Sequence, residues 1–315
     1  MKRWLMVTVC ATVVTGCSAA VYENEISAFK TATDAAVASV TLYDREAREI
    51  AARNAIRIEM LGAGQVAVTL SGECPRLAAG RRTGDEKCRV LTNGAPMADT
   101  PSANATKIAT LMGALSAYAG NLEKVASADD IAAANTAIGG LSQSVVSLGK
   151  AFVGSDASKA QLDAAAGPIV GAFNWIAGNY LTYKRWEALK SATGIVQPAM
   201  KNALPKLNEL AVATKNDYAQ RRLTEFDVTA RYVKRTPGTD PVPGVLELQK
   251  TGSEVAAVIN SKPEAMFDAM VEAHGELTKA LDDPTKQAPA LLAALQGFGE
   301  AVAAIVKSLE KKDDK

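Results

Sequence analysis

The side chains able to do covalent or metal chemistry are few in this 315-residue chain: four cysteines and one histidine. Cys74 and Cys88 are the pair best spaced to act together. Two such thiols either close a loop as a disulfide or share a metal, and a metal lacks support because there is no CxxC and His274 stands alone. Glu272 and Glu276 flank His274 at spacings of two. Residues two apart do not share a helix face, so the expectation is a histidine on a helix surface with no carboxylate partner. No phosphate loop, nucleophile elbow or GxGxxG opens any apolar segment. The sequence thus carries no local catalytic set, metal site or cofactor site, and an enzyme would have to assemble carboxylates from distant segments.

The N-terminal cysteines sit in a different context. Lys2 and Arg3 precede the apolar run Trp4–Val13, the layout of a secretory n-region and h-region. The run is too short to span a bilayer, which takes about 20 apolar residues. The next residues, Val14-Thr15-Gly16-Cys17-Ser18, resemble the lipobox of bacterial lipoproteins, in which an aliphatic residue and two small ones precede a cysteine. The resemblance covers only residues 1–18. It implies that residues 1–16 leave as a signal peptide and that Cys17, acylated on sulfur, becomes the new N-terminus. Ser18, in place of Asp, implies release to the outer membrane, with the protein held by lipid on its periplasmic face. The alternative is an ordinary signal peptide cut near residues 17–20. Each buried acyl methylene contributes about 0.8 kcal/mol, so several chains make a stable anchor where one does not.

Export bears on the other thiols. With Cys10 gone and Cys17 acylated, Cys74 and Cys88 remain as the pair of the folded region, and in an oxidising compartment they read as a disulfide. On the chain-entropy model such a closure stabilises by about 3 kcal/mol. Net charge is +1, which argues against nucleic acid, because counterion release needs a concentrated basic surface.

The elements that position these residues are helical. From Val21 to Leu61 the positions Ile26, Phe29, Thr33, Ala36, Val40, Tyr43, Ala47 and Ile50 alternate steps of three and four, a heptad seam. Beyond Ile50 the apolar seam drifts through Ala51, Ala55 and Ile58, and Gly62 and Gly64 are the expected stop. Such a helix is about 60 Å long. Residues 65–99 lose the pattern: residues 66–70 could form a short extended piece, and the remainder is a Gly- and Pro-rich loop for the disulfide to staple. It is either a recognition loop or a connector without a core of its own.

Thr100-Pro101 reads as a helix start. The seam Ile108, Leu111, Leu115, Tyr118, Leu122 and Val125 loses phase at residues 127–130, through a second capped helix or a stutter, and resumes as Ile131, Ala134, Ile138, Leu141, Val145, Leu148 and Phe152. From residue 156 to Arg235 the seam continues, with Pro168, Pro198 and Pro205 expected to kink or split it. Residues 164–181, including Phe173, Trp175 and Ile176, are apolar nearly all round, which suits a buried helix or one that enters lipid.

Basic residues accumulate from Lys184 to Arg235, Arg221 and Arg222 among them, and the chain turns acidic after Asp240. Facing helices of opposite sign would account for both; a basic face for anionic envelope material is the functional alternative. Residues 236–244 read as a linker. Three shorter helices should follow, carrying Val245, Leu248, Val255 and Ile259, then Met266, Met270, Leu277 and Leu281 behind a capping box at Ser261-Lys262-Pro263-Glu264, then Leu292, Leu295, Phe298, Val302, Ile305 and Leu309.

The expected fold is all-α: an elongated antiparallel bundle of coiled-coil-like helices over residues 17–235, with the disulfide loop at 65–99 and the helices of 244–315 packed on the bundle or forming a small lobe. The expected function is a non-enzymatic binding or scaffolding lipoprotein, tethered to the membrane by lipid, that engages an envelope protein or a second copy of itself. The alternative is a helical protein that bends or permeabilises bilayers. Phe173, Trp175, Ile176, Arg221 and Arg222 are the candidate membrane or partner face.

Overall fold

The computed structural model describes residues 22–63, 68–70, 90–92, 95–96, 103–153, 180–235, 242–283 and 288–309. Seven helices make up the fold among these residues: α1 (Glu23–Ala63), α2 (Ala103–Ser127), α3 (Ile131–Val153), α4 (Tyr180–Arg235), α5 (Val242–Asn260), α6 (Pro263–Asp282) and α7 (Ala288–Leu309). The all-α class is therefore the one observed. Three short strands, β1 (Val68–Leu70), β2 (Val90–Thr92) and β3 (Ala95–Pro96), pair antiparallel in that order within the stretch that loses the helical pattern. The lipobox, Cys74, Cys88, Pro168 and the candidates Phe173, Trp175 and Ile176 lie outside the described residues.

The heptad reading of α1 holds along its first two thirds: Ile26, Phe29, Thr33, Ala36, Val40, Tyr43, Ala47 and Ile50 are all buried. Beyond Ile50 the drifting seam is corrected, because Ala55 and Ile58 are exposed and Asn54 is buried instead. The strict spacing of three and four continues through Asn54 and Arg57, polar residues that meet polar partners on α4. The helix also runs through Gly62 to Ala63. At 41 residues it is about 60 Å long.

Side-chain pairs give the helix directions. Ser27 bonds Glu123 and Ser116 bonds Asp34, so α1 and α2 run antiparallel. Asn121 donates to the Gly140 carbonyl across the α2–α3 hairpin at 3.1 Å. Lys190 pairs with Asp282 and Asn208 with Asp268, which sets α4 antiparallel to α6. Glu46 faces Arg222 and Arg57 bonds Thr229, so α1 and α4 run in the same direction. Alternation of direction is therefore not strict.

The α2–α3 phase break is a true second start. Asp130 caps α3, its carboxylate accepting the Ala133 amide at 2.7 Å, an arrangement that satisfies one of the orphan donors of the first turn. Ile131, expected in the seam, is left exposed at this turn.

Of the two outcomes expected at the prolines, a kink or a split, the split does not occur at Pro198 or Pro205. Pro198 and Pro205 lie inside α4, which continues as one helix instead of splitting. Both are exposed, so the carbonyls they free face water, while Val196, Met200 and Leu207 are buried on the opposite side and hold the helix to the core.

The capping box at α6 is not formed. The cap position falls on Lys262 with Pro263 opening the helix, and no side chain caps it. Ser261 instead bonds the Val258 carbonyl at 2.7 Å and the Tyr43 hydroxyl at 3.1 Å. α5 starts at Val242, inside the expected linker. A proline at its second position costs little, since the first-turn amides have no partner within the helix.

One apolar core joins all seven helices, from Ile26 and Phe29 through Leu115, Leu141, Leu189 and Met200 to Met270, Leu277 and Phe298, with α5 contributing Val258 near its end. The far halves of α1 and α4 extend beyond α2 and α6; α5 packs there along α4 and touches α7, and is tied to α1 by the Arg57–Glu247 pair and through Arg222. This three-helix arm differs in chemistry from the rest.

Candidate functional site: a polar-cored arm and a sealed histidine

The arm is organised around Arg222 on α4, which is 3 % exposed. Its Nη1 donates to Glu225 at 2.9 Å and reaches Glu254 on α5 at 2.8 Å; its Nη2 lies 3.8 Å from Glu46 on α1. Nε and Nη2 also donate to the Tyr218 hydroxyl at 3.1 and 3.0 Å. One guanidinium therefore ties three helices together, a task its planar fork suits. Arg53 donates to the other oxygen of Glu225 at 3.0 Å, and Arg57 bridges Thr229 and Glu247. Desolvation alone would lower the Arg222 pKa, but Tyr218, Glu254 and Glu225 outweigh it and hold the guanidinium above its usual value. Burial pushes the Tyr218 phenol up, with Arg222 opposing.

The two adjacent arginines singled out from sequence stand about 100° apart around α4, enough to put them in different surroundings. Arg221 stays at the surface, paired with Asp217 at 2.9 Å, whereas Arg222 is turned inward and belongs to no exposed face. Other basic groups of α4 are also engaged: Arg185 donates to the Val125 carbonyl, Lys206 pairs with Glu209, and Lys215 donates to the Ser261 carbonyl. Much of the basic excess of this segment is thus taken up by partners within the fold.

The second polar constellation corrects the surface placement of His274. The imidazole is fully buried, its Nδ1 2.5 Å from Gln197 Oε1 and its Nε2 2.9 Å from the Tyr118 hydroxyl. Gln197 donates its amide to the Val271 carbonyl at 3.2 Å, which turns its oxygen toward the ring. That oxygen only accepts, so Nδ1 carries the proton and Nε2 accepts from Tyr118. Phe29 and Tyr118 each lie with ring centroids 5.7 Å from the imidazole. Local sequence misses this site because the partners come from α2 and α4; Tyr118 was placed inward by its seam, and nothing singled out Gln197.

Burial lowers the His274 pKa from 6.5 to about 3, so the ring is neutral in the fold. The unfolded chain binds a proton there below pH 6.5 and the folded chain does not until about pH 3. Stability is therefore full above pH 6.5 and falls by about 1.4 kcal/mol per pH unit as the solution is acidified across that window. Urea unfolding of the parent and of His274→Gln should show the gap between them narrowing by about that amount per unit of acidification. A constant gap would contradict a neutral buried ring.

Openings in the described surface are modest. A void lined by Ser39, Tyr43, Ile108, Met266 and Phe267 has a volume of about 10 Å³, the space of a single water. A groove of about 310 Å³ lies among Lys107 and Leu111 of α2, Ala151 of α3, and Lys206, Leu207 and Leu210 of α4. Neither is lined by His274 or the Arg222 cluster. Among the described residues no group of three or more His, Cys, Asp or Glu is placed to hold a metal.

Beside the exposed Arg231, Lys234, Glu247 and Gln249, the end of the arm displays several apolar side chains. Val242, Val245 and Leu246 at the start of α5 are each more than half exposed, with Ile58 on α1 and Tyr232 on α4 at the same end. Gly244 approaches Val233 so closely that a Cβ there would lie 2.5 Å from its side chain, which seats this first turn of α5 against α4. The chain matches no family model, no curated protein and no solved structure, so its own residues and geometry carry the functional reading.

Proposed function

We propose that the protein is a lipid-anchored envelope protein, acylated at Cys17 and held at the outer membrane, that works without catalysis as a binding or scaffolding module. In this reading the helices form an elongated bundle, Cys74 and Cys88 close the loop between α1 and α2 as a disulfide, and the partner is an envelope protein. The observation that carries it is the cluster of exposed apolar side chains at the end of the arm, Ile58, Tyr232, Val242, Val245 and Leu246. Monomer surfaces do expose scattered apolar residues, but several gathered on one rigid tip mark an interaction site. The buried ion pairs behind the tip fix how the three helices meet, and so pre-organise the surface they display.

The test is photocrosslinking in intact cells from residue 245, with mass spectrometry of the adducts. Residue 245 should capture one discrete protein, and Leu246→Asp should reduce the adduct at least tenfold while leaving the melting temperature within about 2 °C, as expected for a surface substitution. No adduct from this position, or one unaffected by Leu246→Asp, would sink the reading.

A second reading, a membrane-active helical protein, is favoured by α7. Its segment Pro289–Leu309 is long and apolar enough to cross a membrane by length and composition, and 28 % of that window is buried. A helix of this kind is more often part of a core, and here Leu291, Leu295, Phe298, Val302 and Ile305 do point inward.

A further inference from the structure

Four helix ends converge at the end of the molecule opposite the arm. Arg185, near the start of α4, donates to the Val125 carbonyl near the end of α2 and lies within electrostatic reach of Glu23, the first residue of α1. Lys190, one turn further on, pairs with Asp282 at the end of α6. The α2–α3 turn and the start of α7 follow directly from these ends. The surface they form displays three large apolar side chains, Ile131 at 56 %, Tyr183 at 51 % and Leu292 at 41 % exposure. Trp186 packs beside Tyr183 with centroids 5.9 Å apart, and the Lys190 ammonium sits 5.0 Å over its ring. Tyrosine and tryptophan backed by lysine are the side chains that partition to a membrane–water boundary, apolar at one end and wet at the other.

The chain length settles what this end faces. Residue 22 already belongs to the described fold, and Cys17 is five residues earlier. Five residues span at most about 18 Å in any conformation. We propose that this end is a bilayer-contacting surface, with Tyr183, Ile131 and Leu292 seated at the headgroup boundary, so that the molecule stands on the membrane and carries the tip of the arm about 60 Å away from it. The proposal rests on acylation at Cys17 and deepens that reading by naming the surface the anchored domain presents to lipid.

Charge decides the kind of lipid contact. Glu23, Asp129, Asp130, Asp282 and Asp283 lie around this end, and two of the basic groups there, Arg185 and Lys190, are already engaged. Lys124 and Lys184 are the other basic residues described there, and among the described residues of this end the acidic groups outnumber the basic ones, so the contact proposed is apolar and its strength comes from the tether. A tether this short holds the surface at an effective concentration of the order of millimolar, enough for side-chain contacts too weak to recruit the domain alone.

The test uses the lipidated mature chain on phosphatidylethanolamine–phosphatidylglycerol vesicles, with an environment-sensitive fluorescent amino acid at position 183, 303 or 245. Position 303 is on the outward side of α7 and position 245 at the tip of the arm. Quenching by phospholipids spin-labelled near the headgroup should be at least threefold stronger from position 183 than from either other site. It should change less than twofold when the phosphatidylglycerol fraction is halved. Quenching at 303 equal to that at 183 would overturn the upright placement in favour of a molecule lying on α7. Absence of quenching at all three sites in protein that floats with the vesicles would remove the bilayer contact while leaving the anchor intact. Failure of the chain to float at all would remove the anchor reading and this inference with it.

Discussion

Arg222→Met is expected to lower stability by about 3–5 kcal/mol, the range found when one partner of a buried ion pair is removed. Methionine fills much of the same volume, so the loss comes from charge and not from a cavity. Glu225 and Glu254, held at 2.9 and 2.8 Å from the guanidinium, would be left with their main cation gone, and Tyr218 would lose both donors to its hydroxyl. Because replacing a whole buried ionic group by apolar residues is far less costly than breaking it, adding Glu225→Met should recover part of the loss. Arg221→Met, one residue away, should change stability by no more than about 0.5 kcal/mol, since that arginine makes only an exposed pair with Asp217. Chemical denaturation of the four proteins measures all of this; a loss below 1 kcal/mol for Arg222→Met would mean the carboxylates find water, and the arm is looser than described.

Phe29→Ala should cost about 3–5 kcal/mol for a different reason. Phe29 is fully buried where α1, α6 and α7 meet, its ring centroid 5.7 Å from that of His274 and 6.1 Å from that of Phe298. Truncation removes transfer free energy and leaves a cavity whose walls, including a histidine fixed by two hydrogen bonds, have little freedom to collapse. A change to leucine should cost less than half as much. Should Phe29→Ala lose less than about 1.5 kcal/mol in urea unfolding, the packing of α7 on α1 is not the close one described.

Much of the helical architecture is legible from period alone. The eight seam positions from Ile26 to Ile50 are all buried, because a side chain's place on a helix follows from its number modulo the turn, and the apolar residues there recur at that period. Leu115, Tyr118, Leu122, Leu141, Val145 and Met270 were placed inward by the same rule and are there. The resemblance of residues 14–18 to a lipobox rests on residue order and not on the fold, and lies outside the described residues.

The rule failed where burial was not apolar. Asn54 and Arg57 occupy the next steps of the α1 seam, but a reading that follows hydrophobicity turns aside to Ile58, which is 51 % exposed. Ile131 and Leu292 were assigned inward by period and are 56 % and 41 % exposed; in α7 the inward place is taken by Leu291, four residues before Leu295. His274 was placed at the surface because no local partner existed; its partners, Gln197 and Tyr118, are far away in the chain. A split at Pro198 or Pro205 was one of the two outcomes expected, because a proline's cost inside a helix is local, whereas the packing that keeps α4 continuous is not.

The sequence by itself determined the helix-forming segments and most of their inward faces, since each depends on residues close together in the chain. Only the tertiary structure decided that α1 and α4 run in the same direction, that Arg222 turns inward while Arg221 does not, and that Tyr183, Ile131 and Leu292 share one end. Those outcomes depend on which helix lies opposite. A charged or polar side chain is stable inside when a partner's groups replace its hydration, and that partner belongs to another helix.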